Sequence, residues 1–153
     1  MAGYRFRPSR WIQFQLWLGV GVLSCAPLAL ACSVNVGAIS FAQFNPLADS
    51  ASYGSGVIDI SCPSITSYTV ALSPGQGTYS ARYMTGGEHQ LSYNLHTSPA
   101  YDSVWGDGSG ISVQVGGSAG VSGNSHTVYG RLPAQPAAVV GQYSDVIVVT
   151  VSY

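Results

Sequence analysis

YSDVIVVTVSY, residues 143–153, reads as a strand with two apolar faces. Taken by twos, it places Tyr143, Ile147, Val149, Val151 and Tyr153 on one side and Ser144, Val146, Val148, Thr150 and Ser152 on the other. A long apolar strand is an aggregation hazard unless something lies alongside it. The sequence given stops at Tyr153, so the expected cover is an earlier strand or another chain.

Upstream the same alternation recurs in short segments bounded by glycine, proline and serine, the pattern of an all-β sandwich. CSVNV puts Cys32, Val34 and Val36 on one face, and GVIDISC puts Ile58, Ile60 and Cys62 on one face with Val57, Asp59 and Ser61 on the other. Further strands are expected at SYTVAL (Tyr68, Val70 and Leu72 inward), HQLSYNLH (Leu91, Tyr93, Leu95), GISVQVG (Ile111, Val113, Val115) and HTVYGRL. Between them SPGQG, GDGSG, GGSAGVSGN and PAQPAAVVGQ supply turns, since glycine tolerates positive φ and proline fixes its own. No internal repeat, interdomain linker or helix is expected.

Composition points the same way. The chain has 153 residues, 46% of them apolar and 7% charged, with no lysine, which leaves little for helices laced by charge pairs. Residues 1–31 read as a secretory signal: Arg5, Arg7 and Arg10 without an acid, then the apolar WIQFQLWLGVGVL, then a small-x-small site at Ala29–Ala31. A retained anchor is the competing reading, as the apolar stretch is nearly long enough to span a membrane. Lipidation at Cys32 competes less well, because Ala29 and Leu30 stand in the reverse of the order a lipoprotein signal uses.

Cleavage after Ala31 leaves a domain of residues 32–153 with Arg82 and Arg131 against six acids, a formal charge of −4. No nucleic-acid partner is expected, there being no basic patch to displace counterions. Cleavage also leaves two cysteines, Cys32 and Cys62, an even pair in an exported chain and so an expected disulfide. No histidine stands near either at metal-ligand spacing, and no metal or cofactor is expected.

Candidate chemistry is sparse, with no catalytic residues assigned. Serine occupies no G-x-S-x-G elbow, no cysteine is left over as a nucleophile, and His89, His96 and His126 read as solvated surface. Arg82 and Arg131 read as loop-holding residues, each paired with an acid. Trp105 and Asp107 with Tyr101, in SPAYDSVWGDG, form a candidate adhesive loop in which tryptophan stacks on a sugar. The competing reading packs Trp105 on the sandwich edge and gives Asp107 a turn to shape.

Several of these stretches together carry a resemblance. Cys32 followed by ISFAQFNP, GVIDISC at the second cysteine, YTVALSPG, the pair Arg82 and Met84, LSYNL, VWGDG, TVYGRLPAQ and the closing GQYSDVIVVTVSY resemble, in order and spacing, the spore coat protein U domain. That family is shared by spore coat proteins and by pilins of archaic chaperone-usher pili. The family glycine and tyrosine are replaced by Ala42 and Phe44, small changes at an expected bend.

The resemblance implies an immunoglobulin-like β-sandwich lacking its last strand. Its groove would be edged by Ile147, Val149, Val151 and Tyr153 and filled by a strand from outside. The implied partners are a periplasmic pilus chaperone, an outer-membrane usher and neighbouring pilin subunits, with passage through the periplasm to a surface pilus or coat. A domain starting at Cys32 has no strand of its own to donate, which points to a tip or terminating subunit. A ligand-binding tip adhesin and an independently folded coat protein are the alternatives.

Overall fold

The computed structural model describes residues 31–41, 44–47 and 49–153, so the expected leader up to residue 30 and Ala42 lie outside the described residues. Eleven strands and no helix are found among the described residues. They are β1 (Ser33–Val36), β2 (Ser40–Phe41), β3 (Ser52–Ser61), β4 (Thr66–Leu72), β5 (Arg82–Gly86), β6 (His89–His96), β7 (Val104–Trp105), β8 (Ser112–Val113), β9 (Val115–Ala119), β10 (Asn124–Leu132) and β11 (Val149–Ser152).

Two sheets form. The larger runs β1-β3-β10-β6-β7-β8, with β2 also on β3 and β5 on β6; the smaller runs β11-β4-β9. The register explains which residues meet: Val34 faces Ile60, Val36 faces Ile58, and Val128 faces Gly56. Because alternate side chains share a face, Ile58, Ile60, Tyr68, Val70, Leu72, Leu91, Tyr93 and Leu95 all enter the core, as their alternation predicts. Cys32 and Cys62 are bonded at 2.06 Å and tie the start of β1 to the end of β3.

The closing stretch is only partly regular. At Ser144 it exchanges two hydrogen bonds with Thr85 of β5, and from Val149 it pairs with β4 in the other sheet. It therefore crosses from one sheet to the other. Its second face is not buried, with Val146 80% and Val148 59% exposed.

Other expectations need correction. GISVQVG is broken at Gln114, and Ser112 turns inward because its hydroxyl donates to the Ser109 carbonyl and accepts from Gly108 N. Ile111 and Val113 consequently face solvent, and Val115 alone of the three packs on the core. Trp105 is buried, its indole Nε1 donating to the Val70 carbonyl at 3.1 Å, so it is core and not a contact surface. Asp107 shapes the turn, accepting from both N and Oγ of Ser109. Arg82 makes its hydrogen bonds to neutral oxygens, those of Ser73, Asn94 and Trp105, rather than to an acid.

The histidines divide. His89 is exposed, His126 is half-buried and bonded to the Tyr68 hydroxyl at 2.7 Å, and His96 is buried under the Tyr101 ring. Burial, followed by the nearby Arg131 charge, holds the His96 imidazole below its ordinary value, with Arg82 acting the same way and Ser103 and Asp102 opposing. Burial likewise lowers His126. Both rings thus favour the neutral form when folded, so their stabilisation is complete above the unfolded value of about 6.5 and declines as pH falls below it. The unfolding midpoint is expected to drop between about pH 7.5 and about pH 5. That drop should shrink in His96→Gln and shrink further with His126→Gln added, as followed by thermal unfolding.

Candidate functional site: an apolar groove between the two sheets

β1 pairs with β3 on one edge and β11 pairs with β4 on one edge; among the described residues neither has a strand on its other side. The side chains beside these two free edges betray a gap. Val34 and Val36 share a face with the buried Ile60 and Ile58, yet they are 41% and 50% exposed. The sequence puts them inward correctly, but no layer covers them.

The gap is a cleft of about 390 Å³. One wall is the chain from Val36 through Ile39 to Phe41, and the other is Ile147 and Val149 of the closing stretch. Its floor is core side chains of both sheets, including Ile58, Leu72, Leu95 and Val128. Each aliphatic side chain an occupant buried here would contribute roughly 1.5–3 kcal/mol. A second cleft of about 380 Å³ shares Ile39, Phe41, Met84 and Tyr143 with the first and continues past Phe44 and Leu132. The apolar surface is therefore longer than either cleft alone.

Of the four residues read as the groove edge, Ile147 and Val149 line the cleft and Val151 packs partly against the core. Tyr153 lies outside the lining and is 61% exposed. Of the other wall, the alternation of CSVNV marks Val36 as inward, whereas no strand pattern marks Ile39 and Phe41. Pairing of β1 and β2 with β3 is what brings this wall opposite β11.

One end of the cleft is polar. Asp145 accepts from the Tyr93 hydroxyl at 2.6 Å through Oδ2, and from Val146 N and Gln76 N through Oδ1. Burial, and then this bond, push the Tyr93 phenol well above its ordinary value, so it stays a protonated donor. The turn holding Gln76 needs glycine at position 75: φ is +64°, and a Cβ there would meet Asp145 Oδ2 at 2.1 Å. Asp145 thereby fixes the closing stretch to the SPGQG turn and to the groove floor at once.

The groove lining is apolar but for Tyr93, Tyr143, Ser144 and Asp145. Among the described residues, no three of His, Cys, Asp and Glu stand where they can hold a metal ion. The candidate adhesive loop is dispersed. Trp105 is inside, Asp107 lies in its turn, and Tyr101 packs against Tyr53 and His96.

A profile of the Spore Coat Protein U domain matches residues 21–150. The chain belongs to that family. The match begins within the stretch read as a leader and runs almost to the end of β11. No curated protein matches the chain.

Among solved structures, this Spore Coat Protein U chain is similar to one in the "CsuC-CsuE chaperone-tip adhesion subunit pre-assembly complex from archaic chaperone-usher Csu pili of Acinetobacter baumannii". The TM-score is 0.60 at 18% identity, over 80% of this chain and 40% of that one. At that identity the likeness establishes the fold, an all-β sandwich of immunoglobulin type. The chain spans well under half the length of its solved counterpart.

Proposed function

We propose that this Spore Coat Protein U chain is a secreted, non-enzymatic structural subunit of a surface pilus or coat, completed by a strand that a partner lays into the groove between β1 and β11. The observation that carries the reading is the exposure of Val34 and Val36 on the inward face of β1. In strand addition the partner's backbone pairs with the free edges while its alternate side chains fill the pockets. A periplasmic chaperone would hold the groove first, an outer-membrane usher would receive the complex, and a neighbouring subunit would then replace the chaperone strand. Residues 1–31 would serve as the export signal, and residues 32–153 as the assembled domain.

The test is to export the chain to a periplasm and purify it alone, with a candidate chaperone, and with a synthetic strand of alternating aliphatic residues. The expected result is a weak thermal transition alone and a strong one when the groove is filled. Ligand at a hundredfold its Kd stabilises by about 2.7 kcal/mol. Val149→Asp, at the cleft wall, should abolish the gain. A stable monomer indifferent to both strand and chaperone would overturn the reading and leave an independently folded coat protein.

The same samples report the position in a fibre. A tip or terminating subunit stops at a one-to-one complex with a donor subunit, whereas an interior subunit extends into a ladder. A tip adhesin would need a contact surface other than Trp105, because that side chain is in the core.

A further inference from the structure

We propose that Tyr53 and Tyr101 form a built site for oxidative cross-linking, joined ring carbon to ring carbon as dityrosine. Their ring centroids lie 4.9 Å apart with the planes inclined by 36°. Two directly bonded phenols have their centres only slightly closer, so coupling asks the rings to turn edge to edge without any large approach of one segment to the other. No other pair of tyrosine rings is in contact among the described residues.

The position of Tyr101 is held against its own preference. Its φ is +57°, the left-handed region that a bulky side chain disfavours. The loop that imposes this is tied by Tyr101 N to the Ser98 carbonyl, Ala100 N to Ser98 Oγ, and Ser98 Oγ to Asp102 Oδ1. With that backbone the ring reaches back over β6, edge-on to His96 on one side and against Tyr53 on the other. Tyr53 lies on the outer face of β3 beside Arg131 of β10 and is 51% exposed, open to an oxidant in solution.

The chemistry balances with hydrogen peroxide and a haem peroxidase as the oxidant. Each phenol gives up one electron and its hydroxyl proton, and the two radicals couple through carbons ortho to oxygen. The ring protons then move to the oxygens and restore two phenols. Two hydrogen atoms are lost in all, and one peroxide becomes two waters. The new bond fastens β3 to the loop between β6 and β7, on the opposite face of the larger sheet from the core, so it leaves the groove free.

The experiment treats the dilute purified protein with a haem peroxidase and hydrogen peroxide, then reads dityrosine fluorescence and the masses of proteolytic peptides. The expected product is a single intrachain species joining the Tyr53 and Tyr101 peptides and lighter by two hydrogens, with a raised thermal midpoint. Tyr53→Phe and Tyr101→Phe keep both rings, and each should lose that species and the rise in midpoint. Coupling spread over other tyrosines, coupling only between molecules, or fluorescence that persists in both variants would overturn the proposal.

Discussion

Arg82→Met is expected to remove about 3–5 kcal/mol of folding stability, which for a domain of this kind is a large share of the whole. The side chain is fully buried and its guanidinium gathers four segments. Nε and Nη2 donate to the Ser73 carbonyl at 3.3 and 2.8 Å, Nη2 also donates to the Trp105 carbonyl at 2.8 Å, and Nη1 donates to Asn94 Oδ1 at 2.7 Å. The Tyr79 ring lies under the charge, 5.3 Å from Cζ. Methionine fills much of the stem volume but leaves the Ser73 and Trp105 carbonyls without this donor, and each buried unsatisfied acceptor costs about 1–3 kcal/mol; Asn94 Oδ1 keeps only its bond from Leu95 N.

Burial lowers the Arg82 pKa, opposed by the Tyr93, Tyr79 and Asp145 groups around it, yet a guanidinium keeps its proton in such a site. The fork is what matters. Arg82→Lys retains a charge but not the planar array of donors, so it should restore less than half of the loss in a urea titration. A lysine variant as stable as the parent would show that charge alone accounts for the site.

Arg82 also illustrates what alternation reveals and what it hides. In RYMTG, Arg82 and Met84 share a parity opposite to Tyr83, and both are buried. That parity was available in the sequence, but an isolated arginine is ordinarily read as surface. HQLSYNLH, by contrast, gives β6 its full extent, because Leu91, Tyr93 and Leu95 alternate with polar neighbours and nothing interrupts them.

The misread positions share a non-local cause. Trp105 sits between glycine and valine in a segment rich in turn residues, and only its pairing with β8 and its bond to Val70 draw it inside. His96 points to the outer face of its sheet and is covered by a loop that returns over it. The groove is half legible. The closing strand announces one wall, while the opposite wall depends on β1 pairing with β3, a contact between segments some twenty-five residues apart.

Cys32→Ser or Cys62→Ser is expected to weaken that second wall directly. The bridge closes a separation of 30 residues, for which the chain-entropy account gives roughly 3.5 kcal/mol. Its placement adds to this. β1 is held by β3 on one edge alone, with Val36 lining the unfilled groove and Val34 41% exposed, so it has little packing to keep it in place when the tether is cut. Cys62 is itself 3% exposed, and a serine there adds a hydroxyl to an apolar site. Yield from periplasmic expression should fall sharply in either single variant, and binding of the synthetic strand should fall with it because one wall of the groove has frayed. Cys32→Ala with Cys62→Ala separates the two effects: it carries no buried hydroxyl, so whatever loss remains belongs to the missing bridge. An unchanged urea midpoint in that double variant would mean that the strand pairing of Ser33–Val36 with β3 suffices to hold the wall.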